Sequence, residues 1–213
     1  MIARVVLLVL VALTGLAAAA GRPTGEPSPE AEALTDRMLA AVNAEAWART
    51  GALRWRVDGR ELVWDRVKGR VRVRAPGLDR TVPTSWIGEA NVGQEAYRHW
   101  VTDSFWLNPV VKLRDPGTRR ALVDGGLLVH YEKGGQTPGD TYVWEVGADG
   151  LPVAWRAWTK NPNLEGARAT WEGWITLATG AKVATKHRFP GGFVLKLHDV
   201  EGAETLAELG EAL

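Results

Sequence analysis

Short runs in which apolar and charged residues alternate constrain the fold of this chain more than any other feature of its sequence. In residues 53–57 Leu, Trp and Val alternate with Arg, and in residues 70–74 Val alternates with Arg. A period of two puts the apolar side chains on one face of a β-strand and the charged ones on the other. Asp58-Gly59 and Lys68-Gly69 provide the tight turns between such strands. The segment therefore predicts an antiparallel meander with one dry face and one very basic face.

The same signals recur through the second half of the chain. Residues 78–87 suggest a fourth strand, which Pro83 makes irregular. Because short connections force neighbouring strands to run antiparallel, the order in the sheet should largely follow the order in the chain. About ten strands in succession should curl strongly rather than stay flat. The later predicted strands are residues 119–124, 126–132, 140–147, 152–160, 167–178, 181–189 and 192–200.

Two segments carry a helical pattern instead. Ser28-Pro29-Glu30 offers an N-cap, a proline at the first helical position and an acid near the positive end of the helix dipole. From there to Arg49 apolar residues recur every three or four positions, and a shorter helix is predicted over Gln94–Trp100. We predict a mainly β (α+β) protein: a strongly curved antiparallel sheet, or unclosed β-barrel, of about ten strands with an N-terminal helix and a central helix-loop lid.

The first twenty residues have the composition of a signal peptide. Arg4 provides the positive start, residues 5–13 the apolar core, and residues 17–20 the small side chains that a signal peptidase needs. An uncleaved membrane anchor is the alternative. We expect a periplasmic protein, with secretion as the second possibility. The predicted organisation is a signal peptide over residues 1–20, a flexible leader over 21–28, a single domain over 29–202 and a C-terminal tail over 203–213.

Composition excludes several classes of function. The chain has no cysteine, so it has no disulfide, no thiolate chemistry and no cysteine for a lipid anchor. Removing Arg4 with the signal from the 26 basic residues leaves 25, against 25 acidic residues, and a net charge near zero gives no indication of a nucleic-acid partner. The three serines lie outside any Gly-x-Ser-x-Gly elbow, and the four histidines lack ligand spacing. Unless the histidines converge in space, we expect no enzyme, no metal and no cofactor.

Three short patches resemble a family of exported bacterial proteins of unknown function. The patches are Thr102–Leu107 with Lys112–Gly117, then Thr137–Trp144, and finally Trp171–Trp174. The order of elements resembles the outer-membrane lipoprotein carrier superfamily, whose members are unclosed barrels with helices over a hydrophobic cavity. The resemblance implies lipid or lipoprotein carriage and transfers no catalytic residue. Some relatives are lipid-anchored, and this chain departs from them by lacking the cysteine.

Aromatic residues mark the candidate ligand site. Eleven Trp occur beside three Tyr and three Phe, which suggests a broad apolar surface with polar edges. The Phe105-Trp106-Leu107 cluster lies in a non-strand segment starting at Asp103, and its natural partner is the apolar face of the sheet. We therefore predict a non-catalytic periplasmic binding protein for a hydrophobic ligand, such as a lipid or lipoprotein acyl chains. The residues predicted to line or gate the site are Trp55, Trp64, Trp100, Phe105, Trp106 and Leu107.

The same residues allow a competing hypothesis. The cluster could simply fill the interior, as side chains do in small barrels. The protein would then be a structural or docking module of the cell envelope with no small ligand, and its partner would be another envelope protein. Trp155 and Trp158 should point to opposite faces of one strand, so both faces must be covered or one must expose indole.

The basic face also has two interpretations. Its arginines could meet anionic lipid head groups. Alternatively, they form a solvated face neutralised across the strands by Asp58, Glu61 and Asp65, which is the interpretation we favour. The arginines concerned are Arg54, Arg56, Arg70, Arg72 and Arg74.

Overall fold

The structure is a computed structural model that describes residues 21–85, 92–133, 138–159 and 165–213. The predicted signal peptide and the end of the predicted strand 78–87 lie outside these ranges. The chain forms two compact units. The first contains the residues up to Met38 together with Lys112–Trp171 and Arg188–Val194, and the second contains Leu39–Val111, Glu172–His187 and Leu195–Leu213.

The described residues form mainly short strands, with three α-helices and short 3-10 turns. The helices are α1 (Pro29–Ala41), α2 (Ala44–Arg49) and α3 (Val92–Phe105), and 3-10 turns occur at Pro109–Lys112, Pro190–Gly192 and Ala207–Leu209. The strands are β1 (Ala52–Val57), β2 (Arg60–Asp65), β3 (Arg70–Ala75), β4 (Leu78–Pro83), β5 (Thr118–Val123), β6 (Gly126–Tyr131), β7 (Thr141–Val146), β8 (Pro152–Trp158), β9 (Ala167–Thr170), β10 (Ile175–Thr176), β11 (Lys182–Val183), β12 (Lys186–Arg188) and β13 (Val194–Ala203).

The predicted N-terminal helix is interrupted at Asn43. The helix begins as expected, since the Ser28 hydroxyl accepts a hydrogen bond from the Ala31 N–H at 3.2 Å. Asn43 then takes a left-handed conformation with φ of 53°, which ends α1, and its side chain caps α2 by accepting from the Ala46 N–H. Asparagine tolerates this conformation because its short polar side chain can bond locally. The prediction of one continuous helix to Arg49 was therefore wrong.

The second unit is built on a six-stranded antiparallel sheet in the order β12-β13-β1-β2-β3-β4. In the β1–β2 pair, Leu53 lies opposite Trp64 and Trp55 opposite Leu62, as the alternation and the Asp58-Gly59 turn predict. These residues share one face of the sheet. The order departs from the order in the chain at one place, because β13 returns to pair with β1.

The first unit contains a five-stranded antiparallel sheet whose order, β5-β6-β7-β8-β9, follows the chain. Trp155 faces Trp144 across the β7–β8 pair, and Trp158 faces Thr141, so the two residues lie on opposite faces. Both are buried. We expected either that both faces of this strand are covered or that one face exposes an indole ring. At Trp155 and Trp158 both faces are covered.

Three predicted boundaries needed correction. The strand predicted over 167–178 is broken at Gly173, whose φ of 64° does not fit a strand. The strand predicted over 181–189 is broken because the Ala184 N–H donates to the Leu107 carbonyl instead of to a neighbouring strand. Helix α3 extends through Phe105, well past the predicted end at Trp100.

The predicted fold class is confirmed: the protein is mainly β, with antiparallel sheets and helices. Within the described strands, the orders of the sheets are linear, and neither larger sheet closes on itself. No helix in the described part of the chain combines the length and apolar character that crossing a membrane requires.

Candidate functional site

The candidate site is the apolar face of the six-stranded sheet, which we call the inner face. Helix α3 packs across β3 and β4 on this face. The last residue of α3 and the residues that follow it, which we call the plug, are Phe105–Val111. The inner face consists of Leu53, Trp55, Leu62, Trp64, Val71 and Val73.

The structure brings the six predicted site residues together. Trp55 and Leu107 are fully buried in the core of the second unit, and Trp64, Trp100 and Trp106 are partly buried against the same core. Phe105 joins through Trp106, with ring centroids 5.2 Å apart in an edge-to-face arrangement. Their assembly on one surface follows from the strand alternation and from the burial of the plug. Their role in binding a ligand stays a prediction.

Polar contacts fix the plug to the segment around β11 and β12. The Trp106 carbonyl accepts a hydrogen bond from His187 Nε2 at 2.9 Å, which fixes the proton on that nitrogen. The Leu107 carbonyl accepts from the Ala184 N–H at 3.1 Å. Asn108 Nδ2 donates to the Lys182 carbonyl at 2.9 Å. The sequence did not indicate a role for His187, which is fully buried beside the Trp106 ring.

Three indole N–H groups at the inner face are buried without a hydrogen-bond acceptor. They belong to Trp55, Trp64 and Trp100. Trp64 and Trp100 are in edge-to-face contact, with centroids 5.2 Å apart. A buried indole N–H usually finds a partner, and leaving a buried donor unsatisfied costs about 1–3 kcal/mol. The packing of the inner face therefore carries a free-energy cost at each of these residues, as does the burial of Trp144 in the five-stranded sheet.

A buried ion pair ties α3 to β2. Arg60 Nε donates to Asp103 Oδ2 at 2.7 Å and Nη2 donates to Oδ1 at 3.1 Å. The Asp103 side chain is 4% exposed and that of Arg60 is 16% exposed. Burial raises the pKa of Asp103, against the opposing effect of the Arg60 guanidinium. The sequence did not identify Arg60 as the partner of Asp103, because Arg60 lies within a hairpin of similar arginines.

Arg66, at the end of β2, lies over two indole rings. Its guanidinium carbon is 4.8 Å from the centroid of Trp47 and 5.4 Å from that of Trp64. Nη1 donates to the carbonyls of Trp47 and Thr50 at the end of α2. Burial lowers the pKa of Arg66. Sequence reasoning missed this residue, because an arginine beside a turn is usually solvated.

The basic face is neutralised by acidic side chains, which confirms the favoured interpretation. Glu61 and Asp65 take part as predicted, whereas Asp58 pairs with Arg60 instead. Four further acids were not foreseen, because they come from β4, β13 and the C-terminal residues. The pairs are Arg54 with Glu201 and Glu211, Arg56 with Glu61 and Asp199, Arg70 with Asp65, Arg72 with Asp79, and Arg74 with Glu61.

A cleft of about 680 Å³ lies at the β1–β2 turn. Charged side chains such as Arg56, Glu61 and Asp199 contribute to its lining. It is therefore not the elongated apolar cavity that a preformed lipid site would require. In the ranges that the structure describes, no group of three or more His, Cys, Asp or Glu side chains is arranged to hold a metal ion.

The chain was compared with known proteins. No family profile matches it, and no curated protein matches it. It is similar in structure to a DUF1329 family protein from Desulfovibrio piger, at 13% identity and a TM-score of 0.42, over 83% of this chain and 93% of that chain. It is also similar to a putative outer membrane lipoprotein-sorting protein domain from Vibrio parahaemolyticus, at 11% identity and a TM-score of 0.32, over 79% of this chain and 93% of that chain. Likenesses this distant transfer no ligand or activity to this chain.

Proposed function

We propose that this protein binds a hydrophobic ligand that carries hydrogen-bond acceptors, such as a lipid or an acyl chain of a lipoprotein, without catalysing a reaction. The ligand would lie on the inner face after α3 and the plug have moved. The observation that carries the proposal is the set of three buried indole N–H groups without acceptors, on Trp55, Trp64 and Trp100.

The closed and the ligand-bound arrangements differ in whether the indole donors have acceptors. In the closed arrangement, with α3 and the plug on the inner face, the indole donors remain unsatisfied at a cost of about 1–3 kcal/mol each. Ester or hydroxyl oxygens of a ligand would accept from these donors. The hydrocarbon part would gain roughly 25 cal/mol for each Å² removed from water. A ligand with both features offsets the free energy needed to move the lid.

Moving α3 and the plug breaks a small number of polar contacts, among them the three hydrogen bonds that fix the plug. One buried ion pair, between Arg60 and Asp103, ties α3 to β2. The rings of Trp64 and Trp100 are partly exposed and lie at the contact between α3 and the sheet. An apolar chain could enter along these rings, because lid motion commonly admits ligands to closed sites.

The proposed location is outside the cytoplasm, most simply the periplasm. The support comes from residues 1–20, with one basic residue, an apolar core and a small-residue end. The proposed partners are a lipid or a lipoprotein acyl chain. A lipoprotein-sorting role is named for the Vibrio parahaemolyticus domain and is not required by the proposal.

A second candidate function is a docking module with a self-filled interior. The observation that favours it is the complete burial of Trp55 and Leu107 among side chains of the same unit. In that case the inner face would have no ligand in any state, and the unsatisfied indoles would be a permanent cost.

The two functions are separated by titrating lipid-free protein with 1-octanol, 1-decanol and 1-dodecanol in a calorimeter. Binding on the inner face should saturate at one ligand per protein and strengthen about fourfold for each added methylene, because each buried methylene contributes about 0.8 kcal/mol. Absence of saturable binding, or binding that does not depend on chain length, would exclude the proposed function and favour the docking module.

Substitution of the indoles locates the site. Trp64→Phe and Trp100→Phe keep a ring but remove the N–H donor, so each should weaken decanol binding about fivefold. Trp158→Phe is the matched control, because Trp158 belongs to a separate buried cluster in the five-stranded sheet. Equal effects of all three substitutions would contradict a site on the inner face.

A further inference from the structure

Arg66, which follows β2, differs from the arginines of β1–β3 in having no acidic partner among the described residues. Each of the strand arginines on the basic face forms an ion pair, and Arg60 pairs with Asp103. Arg66 contacts only indole rings and backbone carbonyls among the described residues. The second unit thus holds a half-buried positive charge that no described carboxylate neutralises.

Much of the hydrogen-bonding capacity of this guanidinium is unused. Both described hydrogen bonds leave from Nη1. The N–H groups on Nε and Nη2 form the edge that usually grips a carboxylate or phosphate in a two-pronged contact. The rings of Trp47 and Trp64 lie against the guanidinium, and such stacking restricts its orientation. The free edge is therefore held in place by its surroundings.

We propose that Arg66 binds the anionic head group, a carboxylate or a phosphate, of the ligand that lies on the inner face. Trp64 connects the two parts of this site. Its ring contacts Arg66, the residue after β2, and also contacts Trp100 of α3. The ligand is then an anionic amphiphile whose head group pairs with Arg66 and whose chain follows Trp64 and Trp100 beneath α3. This inference rests on the proposed function and adds the chemical class of the ligand.

The test compares ligands of equal chain length at pH 8, where carboxylates are ionised. 1-Decanol, decanoate and decyl phosphate are titrated into the protein by calorimetry, together with acetate and inorganic phosphate as anions without a chain. Decanoate and decyl phosphate should bind about tenfold more tightly than decanol, as expected for hydrogen bonds to a charged group. Acetate and inorganic phosphate should bind at least a hundredfold more weakly than their decyl counterparts.

Variants assign the preference to one residue. Arg66→Met keeps a long apolar side chain and should reduce the preference for decanoate over decanol to about onefold. Arg66→Lys keeps the charge and should retain part of the preference. Arg72→Met is the matched control, since Arg72 is paired with Asp79 on the basic face, and it should leave the preference unchanged. The ratio of the two affinities is informative even if a variant is less stable, because both ligands report on the same folded fraction.

Three other results of these titrations would each contradict one part of the proposal. Equal affinities for decanol and decanoate in the unchanged protein would overturn the assignment of Arg66 and leave the proposed function intact. Tight binding of inorganic phosphate without a chain would overturn the amphiphile in favour of a free anion. Failure of every decyl ligand to bind would overturn the proposed function itself.

Discussion

His99 illustrates how a single side chain on α3 responds to the charges packed around it. It lies one turn before Asp103, on the helix that covers β3 and β4. Burial lowers its pKa, and the nearby Arg60 guanidinium lowers it further. The other charged groups that act on it are Asp103, Glu95 and Arg98.

This shift makes the stability of the protein depend on pH. The folded state resists protonation of His99, so neutral His99 favours folding. This contribution to stability is complete above the ordinary histidine pKa of 6.5 and is lost as the pH falls below 6.5 towards the lowered pKa of His99. We expect His99→Gln to reduce the difference in unfolding free energy between pH 7.5 and pH 5.5. Urea unfolding at the two pH values measures it. An unchanged difference in the variant would contradict the assignment.

At the scale of elements, α3 is attached to the sheet by apolar packing and by the Arg60–Asp103 pair. Both ends of this pair are largely buried. Removing one partner leaves an uncompensated buried charge, whereas replacing both by apolar groups of similar size is often neutral. The pair therefore fixes where α3 lies more than it adds to the total stability.

A double-mutant cycle tests this role. Arg60→Met leaves Asp103 buried without its partner and should destabilise the protein by about 3 kcal/mol. Asp103→Leu should cost less, because Arg60 keeps its ion pair with Asp58. The double variant should lie within about 1 kcal/mol of the unchanged protein. Chemical denaturation gives the four free energies. If the two single effects simply add in the double variant, the residues are not energetically coupled.

Local sequence signals account for the elements that were predicted correctly. The alternation over Leu53–Val57 and the Asp58-Gly59 turn fix the register of β1 with β2, so the shared face of Trp55 and Trp64 could be inferred. The broken helix was missed because a left-handed Asn43 has no signal in a pattern of apolar spacing. The pairing of β13 with β1 was missed because alternation does not identify a distant partner.

For the candidate site, too, some features could be predicted from the sequence and others could not. Its aromatic residues could be named from the sequence, because their alternation and the plug composition imply burial. The unsatisfied indole donors could not be, since a residue pattern does not specify which acceptors lie within reach. Arg66 was missed for a related reason. The two indole rings that contact it belong to Trp47 of α2 and Trp64 of β2, and only the packed structure brings them to one guanidinium.

At the scale of the whole molecule, we propose that the chain is exported. We expect that the chain, expressed with its predicted signal peptide (residues 1–20) in a Gram-negative host, gives a mature protein beginning near Gly21. The reason is the Ala18-x-Ala20 pattern of small residues before that position. Intact mass spectrometry of the periplasmic fraction measures the cleavage. Ala20→Leu should block it, and recovery of uncleaved protein from the unchanged chain would contradict the prediction.

The pairing of β13 with β1 has a consequence for the order of folding. The hairpins of β1–β4 are local and can form as soon as these residues are available, but one edge of β1 stays open until residues 194–203 arrive from near the end of the chain. Such a distant contact is slow to form, because the intervening chain must first be brought round. Until then the backbone N–H and C=O groups along β1 offer a template to any other extended chain. A chaperone that shields unpaired strands would therefore protect this protein most during the interval before β13 has paired with β1.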